Sequence, residues 1–161
     1  MQYCLDANIF IQAKNFYYHF DICPGFWDWL DQQTGTVGSI IPVCEELVAG
    51  NDELKPWAKD RKETGFFADN TDPAVQEVFG TIAGYVVSHY EAHQAGKFLD
   101  GADPWLIAYA RVQDCTVVTS EIVAPGAKKV KIPNICEEFV VAYTDCFTML
   151  KSLDARFILD V

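Results

Sequence analysis

The chain has 161 residues, 50% of them hydrophobic, with 23 acidic against 12 basic residues and a formal net charge of -11. That length and apolar content suffice to bury a core, so disorder is excluded for the chain as a whole. The acidic balance argues against holding nucleic acid through the overall field, which leaves local basic patches or metal ions as the route to a phosphate.

Tyr3-Cys4-Leu5-Asp6-Ala7-Asn8 reads as a short buried strand stopping at a polar turn. A helix is expected near residues 8 to 19. The punctuation Cys23-Pro24-Gly25 then opens another near 24 to 33. Thr36 to Ile40 fits a second strand, followed by a helix that Pro42 opens and Gly50 closes. Asp52 can cap a helix through Leu54, Trp57 and Ala58 into the charged run Lys59 to Glu63. Thr71-Asp72-Pro73 opens a long helix with Val75, Val78, Phe79, Ile82, Ala83 and Val86 on one face. Asp103-Pro104 starts the next helix, and Cys115 to Thr119 is a β-branched run expected to be buried on both faces. Val130-Lys131-Ile132 is a shorter strand candidate, and helices near 134 to 139 and 144 to 153 finish the chain. Alternating strands and helices imply one α/β domain over residues 1–161 with a mostly parallel sheet.

No apolar run reaches the roughly 20 residues that span a bilayer. Met1 to Asp6 lacks the basic patch and apolar stretch of a signal peptide, so a cytoplasmic chain with no membrane partner is expected. The six cysteines contain no CxxC pair and several sit in apolar runs, which points to buried reduced thiols.

In a parallel sheet, side chains just past the carboxyl ends of the strands converge on one rim. Asp6 ends the first strand, Glu45 and Glu46 lie early in the helix after the second, Asp103 opens the helix before the Cys115 strand, and Glu121 follows that strand. Such acids repel one another unless protons or cations neutralise them. Mg²⁺ or Mn²⁺, bound through oxygen, would do so and would suit phosphodiester hydrolysis. Ordinary helix capping explains Glu45, Glu46 and Asp103 individually, and spacing alone leaves both readings open.

Four segments in order, Leu5-Asp6-Ala7-Asn8-Ile9-Phe10, Val43-Cys44-Glu45-Glu46-Leu47, Ala102-Asp103-Pro104-Trp105-Leu106-Ile107-Ala108-Tyr109-Ala110 and Val117-Val118-Thr119-Ser120-Glu121, together resemble the motif set of PIN-domain ribonucleases. The stretches Pro24 to Leu30 and Ile132-Pro133-Asn134-Ile135-Cys136 resemble the short stand-alone PIN-like proteins of bacteria and archaea. The resemblance implies a three-layer α/β/α fold around four to five short strands. It also implies an acidic site for Mg²⁺ or Mn²⁺, cleavage of RNA, and, for many relatives, a toxin held by an antitoxin protein and often dimeric. By motif position Asp6, Glu46, Asp103 and Glu121 would be catalytic and metal-binding, with Glu46 matching better than Glu45. Glu121 stands where many PIN nucleases have aspartate. Asn8, Thr119 and Ser120 would orient carboxylates or phosphate oxygens. A PIN-like module without catalysis, acting by protein binding, is the alternative. A phosphatase using Asp6 as nucleophile is weaker, because Asn8 stands where a second aspartate is needed.

Lys14 and Tyr17, just beyond the Asp6 strand, are the candidates for substrate contact, while most of the Phe16 to Trp29 aromatics are expected in the core. Lys128, Lys129 and Lys131, and Lys55, Lys59, Arg61 and Lys62, are the basic patches that could position phosphates. His89 and His93 lack a third ligand at metal spacing and read as surface residues at a helix end. His19 is expected among the packed aromatics.

Overall fold

The computed structural model describes residues 1–158. Five short strands, β1 (Tyr3–Leu5), β2 (Val37–Ile40), β3 (Phe67–Ala68), β4 (Thr116–Val118) and β5 (Tyr143–Thr144), form a sheet in the order β3-β2-β1-β4-β5. Every pairing is parallel, with Cys4 opposite Gly38 on one side and Val117 on the other. β1 is central and fully buried, as its run Tyr3-Cys4-Leu5 requires of a strand covered on both faces.

With the right-handed sense that parallel crossovers take, this strand order puts the helices in two layers. The chain leaves β1 through α1 (Ala7–Gln12), a π-helical turn (Ala13–Tyr17) and α2 (Pro24–Gln32), and leaves β2 through α3 (Ile41–Ala49) and α4 (Leu54–Arg61). It returns past β1 through α5 (Pro73–His89), α6 (Ala92–Leu99) and α7 (Asp103–Gln113), then joins β4 to β5 through α8 (Ile132–Glu138). Helix α9 (Cys146–Ser152) follows. The fold is therefore α/β, a parallel sheet between helical layers.

Aromatic packing consolidates the first layer: Trp57 lies 5.4 Å from Phe10, 5.1 Å from Trp27 and 5.5 Å from Phe66, ring centre to ring centre. In the second layer Val75, Ile82 and Val86 of α5 and Leu106, Ile107 and Ala110 of α7 are buried. Gly38 permits the close approach of β2 to its neighbour, because a Cβ there would sit 2.5 Å from the Phe66 carbonyl oxygen. All six cysteines are free thiols, four of them buried. Among the described residues no helix is long and apolar enough to cross a membrane.

Two local expectations are overturned. Val130-Lys131-Ile132 is not a strand: Ile132 and Pro133 open α8, and Ile132, Ile135 and Cys136 are buried at helical spacing. The three-residue apolar alternation was a helix start, with Lys131 extended as its cap. The fifth strand is instead Tyr143–Thr144, overlapping the first residue expected in the last helix, which begins only after Asp145, whose carboxylate accepts the Thr148 N–H at 2.9 Å. Strand β3 and helix α6 were not expected at all. A two-residue strand carries no periodicity, and the short α6 has only Ala95 and Phe98 buried, with Gly96 between them.

Candidate functional site

The sheet order reverses between β1 and β4, since the chain builds outward from β1 to β3 and then returns to the other side. Side chains past the carboxyl ends of those two strands face a crevice, the usual place for a ligand in an open parallel sheet. Asp6 follows β1 directly and caps α1, its Oδ1 accepting the Asn8 N–H at 3.2 Å. Thr119 follows β4, and its hydroxyl donates to Asp6 Oδ2 at 3.2 Å. Both are buried, Asp6 at 1% exposure. Burial pushes the Asp6 carboxyl up to about 6, the hydrogen bonds from Asn8 and Thr119 oppose that, and the charges of Glu121 and Glu46 reinforce it.

Asp103 opens α7, where the positive end of a helix would normally favour its ionised form. Burial overrides this and, with repulsion from Asp6, Glu46 and Glu121, pushes its carboxyl up to about 8, while Lys129 pulls it down. Glu46 reaches across from α3 so that Oε1 accepts the Ala102 N–H at 2.8 Å. Gly101 leaves room for it, because a Cβ there would stand 3.3 Å from that oxygen. Glu45 points elsewhere, 3.9 Å from Lys62 Nζ. Of the two adjacent glutamates, Glu46 is the one facing the crevice.

Asp6, Asn8, Glu46 and Asp103 line a hollow of about 450 Å³ together with Lys97 and Lys129. Glu121 sits at its margin. The methylene that distinguishes it from aspartate lets Oε2 accept the Ile132 N–H at 2.8 Å, capping α8, while Oε1 lies 3.5 Å from Lys129 Nζ. Its backbone N–H is held by the Thr119 hydroxyl at 3.1 Å. One buried threonine therefore fixes both the Asp6 carboxylate and the chain leading to Glu121.

The other sequence candidates lie apart from this hollow. Lys14 is paired with Asp52 at 2.7 Å and faces a separate depression beside His19 and Glu53. Its charge is spent on an ion pair, which removes it as a contact in the acidic hollow. Ser120 accepts a bond from Gln12 Nε2 at 3.0 Å and, with Tyr17, lines a second hollow of about 240 Å³. Arg61 forks onto Asp31 and stacks on Trp57, while Lys59 and Lys62 of that basic patch are exposed. His19 is exposed, its ring nitrogen bonded to the Asn15 carbonyl at 3.1 Å, and so is not among the packed aromatics. His89 is exposed beside Tyr85. Sequence reasoning missed Gln94, Lys97 and Phe98, which reach the acidic hollow from α6. Without that helix in the reading, nothing in their spacing signalled them.

The profile of a family described as a domain of unknown function, DUF4411, matches residues 3–157. The chain belongs to that family. No curated protein and no solved structure matches it. For the DUF4411 chain the site must therefore be judged on its own chemistry. The donors facing the hollow are carboxylate oxygens, the set a hard divalent cation takes, and among the described residues the Asp103 carboxyl has no hydrogen-bond partner. As the side chains stand, no three His, Cys, Asp or Glu groups among the described residues come together as a ligand shell. They are near enough to repel and too far apart to share an ion without rotating, a difference of range rather than a conflict: charge acts over several ångströms, ligation at roughly 2 Å.

Proposed function

We propose that this chain is a Mg²⁺- or Mn²⁺-dependent endoribonuclease of PIN type. The observation that carries the reading is the meeting of four carboxylates, from four separate chain segments, at the switch point of a parallel sheet, where burial and mutual repulsion raise Asp6 and Asp103. Helix capping accounts singly for Asp6, Glu46 and Glu121; it gives no reason for Asp103, whose carboxyl caps nothing among the described residues, to stand half-buried facing them.

In this reading Asp6 and Asp103 would hold the cation, with Glu46 at the rim and Glu121 beside them. The ion would supply charge neutralisation and Lewis acidity at the scissile phosphate. Thr119 keeps Asp6 oriented, and Glu46 and Glu121 are positioned by the backbone groups they cap. Lys97 and Lys129, the cations lining the hollow, face where a phosphate would enter. Between the acids and the substrate an RNA strand would otherwise meet only negative charge, so these two lysines carry the phosphate contact.

Cleavage of single-stranded RNA by the purified protein in Mn²⁺, lost in EDTA and in Asp6→Asn and Asp103→Asn, is the test. Full activity in EDTA, or in either variant, sinks the reading. The toxin role rests on the PIN resemblance: expression of the chain alone should arrest growth, and Asp6→Asn should relieve it.

A second reading, a PIN-like module that binds protein without catalysis, is favoured by the engagement of Glu46 and Glu121 in backbone hydrogen bonds. Mn²⁺ binding seen by calorimetry with no cleavage of any RNA offered would support that module over the nuclease.

A further inference from the structure

We propose that the second hollow, between the π-helical turn after α1 and the start of α9, binds one nucleobase of the RNA strand next to the scissile phosphate. This rests on the nuclease reading for its substrate and stands on separate geometry. The hollow, about 240 Å³, is lined by Gln12, Tyr17, Tyr18, Ser120, Cys146 and Phe147 among others, a volume suited to one flat heterocycle. Two of its rings are open to solvent, Tyr17 at 62% and Phe147 at 48% exposure. They stand 5.6 Å apart at 78°, so a base stacked on one ring meets the edge of the other.

The rings are held in place. Tyr18 stacks on buried Phe26 at 4.3 Å and 8°, and its N–H donates to the Ala13 carbonyl at 2.7 Å, closing the wide π turn. Such turns are rare and frequently mark functional sites. Here the turn carries Phe16 and Tyr17 outward while Tyr18 stays anchored.

Continuity with the acidic hollow fixes the occupant. Ser120, which accepts the Gln12 side-chain bond in the second hollow, lies between Thr119, bonded to Asp6, and Glu121. The two hollows thus flank the end of β4. Among the described residues no lysine or arginine lines the second one. Asp145, at its edge, has both oxygens taken up by Thr148. Recognition there is by ring face and neutral hydrogen bonds, which suits a base and not a phosphate. It also supplies what an acidic chain lacks, affinity that does not depend on positive charge.

The test uses the full chain with a single-stranded RNA in Mn²⁺. Tyr17→Ala and Phe147→Ala should each raise KM about 5- to 150-fold, the worth of one base stack, with kcat nearly unchanged. Tyr17→Trp should restore KM. In the wild type, replacing the bases near the cleavage point one at a time by abasic sites should raise KM at one position only, and Tyr17→Ala should abolish that position's effect. Unchanged KM in both alanine variants, or a flat abasic scan, overturns the base site while leaving the nuclease reading intact. If the wild type cleaves nothing, equilibrium binding of the same RNA decides: Tyr17-dependent binding sustains the base site without catalysis. RNA binding indifferent to Tyr17 and Phe147 overturns it, including the case where these rings serve a protein partner.

Discussion

Glu46 Oε1 accepts a hydrogen bond from the Ala102 N–H at 2.8 Å, across 56 residues of sequence. The contact ties α3 to the first turn of α7 and sets Glu46 beside Asp103. Glutamine keeps an acceptor oxygen of the same reach and alanine does not. Glu46→Gln should therefore melt within a degree or two of the wild type, and Glu46→Ala should lose roughly 1 kcal/mol, or about 2–4 °C, as for a lost helix cap. Equal melting temperatures for the two variants would show that the bond contributes nothing.

The raised acids give a second prediction, measured in EDTA. Asp6 at about 6 and Asp103 at about 8 hold protons in the folded chain that the unfolded chain releases near 3.8. Where the native state binds more protons, stability falls as pH rises. This contribution is full below about pH 4, declines through the window from 4 to 8, and is absent above. Asp52 and Asp145, both held below the usual range by hydrogen bonds from Lys14 and Thr148 respectively, act with the opposite sign and only below that window. The melting temperature should drop between pH 5 and 8, and Asp103→Asn should flatten the upper half of that fall. A melting temperature that rises with pH across the window contradicts the arrangement of charges.

Most of the scaffold was legible because its signals are local. Pro42, Asp72-Pro73 and Asp103-Pro104 open helices where they stand, and the apolar runs at Tyr3 and Cys115 contain the central strand β1 and its neighbour β4. The convergence of Asp6, Glu46 and Asp103 on one hollow followed from the topology, since each adjoins a strand end or helix start at the same rim. What the sequence hid is long-range. The Ile132 N–H that captures Glu121, the Asp52 carboxylate that takes Lys14 away from the site, and the α6 residues that complete the hollow are set by tertiary contact, not by spacing. The misplaced strand at Val130 shows the limit of a three-residue apolar pattern, too short to tell alternation from the first turn of a helix.

Gly38 tests the sheet. Its Cα faces the Phe66 carbonyl so closely that a Cβ would lie 2.5 Å from the oxygen and 2.8 Å from the Met1 terminal methyl. The methionine end can move, but the carbonyl belongs to the chain entering β3 and accepts the Ser39 N–H at 2.9 Å. Gly38→Ala should cost about 1–3 kcal/mol in chemical denaturation, as overpacked cores do. Gly80→Ala, where a Cβ meets nothing within 4 Å on helix α5, should be neutral or stabilising. Equal stability of the two would mean that β2 and β3 separate freely.

Thr119 gives the sharpest separation of packing from hydrogen bonding. Its hydroxyl donates to Asp6 Oδ2 at 3.2 Å and accepts the Glu121 N–H at 3.1 Å, and the residue is 2% exposed. Valine fills the same volume without the hydroxyl, leaving a buried carboxylate oxygen and a backbone N–H unpaired. Thr119→Val should lose about 1–3 kcal/mol, the cost of stranding buried polar groups, and Thr119→Ser should recover most of it. Because the hydroxyl favours the ionised form of Asp6, its removal should also raise the Asp6 titration above about 6, readable by carboxyl-carbon NMR. A cavity or packing defect alone would lower stability in both variants and leave that titration where it was. An Asp6 midpoint unmoved in Thr119→Val would show that burial and the neighbouring acids, without the threonine, set the protonation of the site.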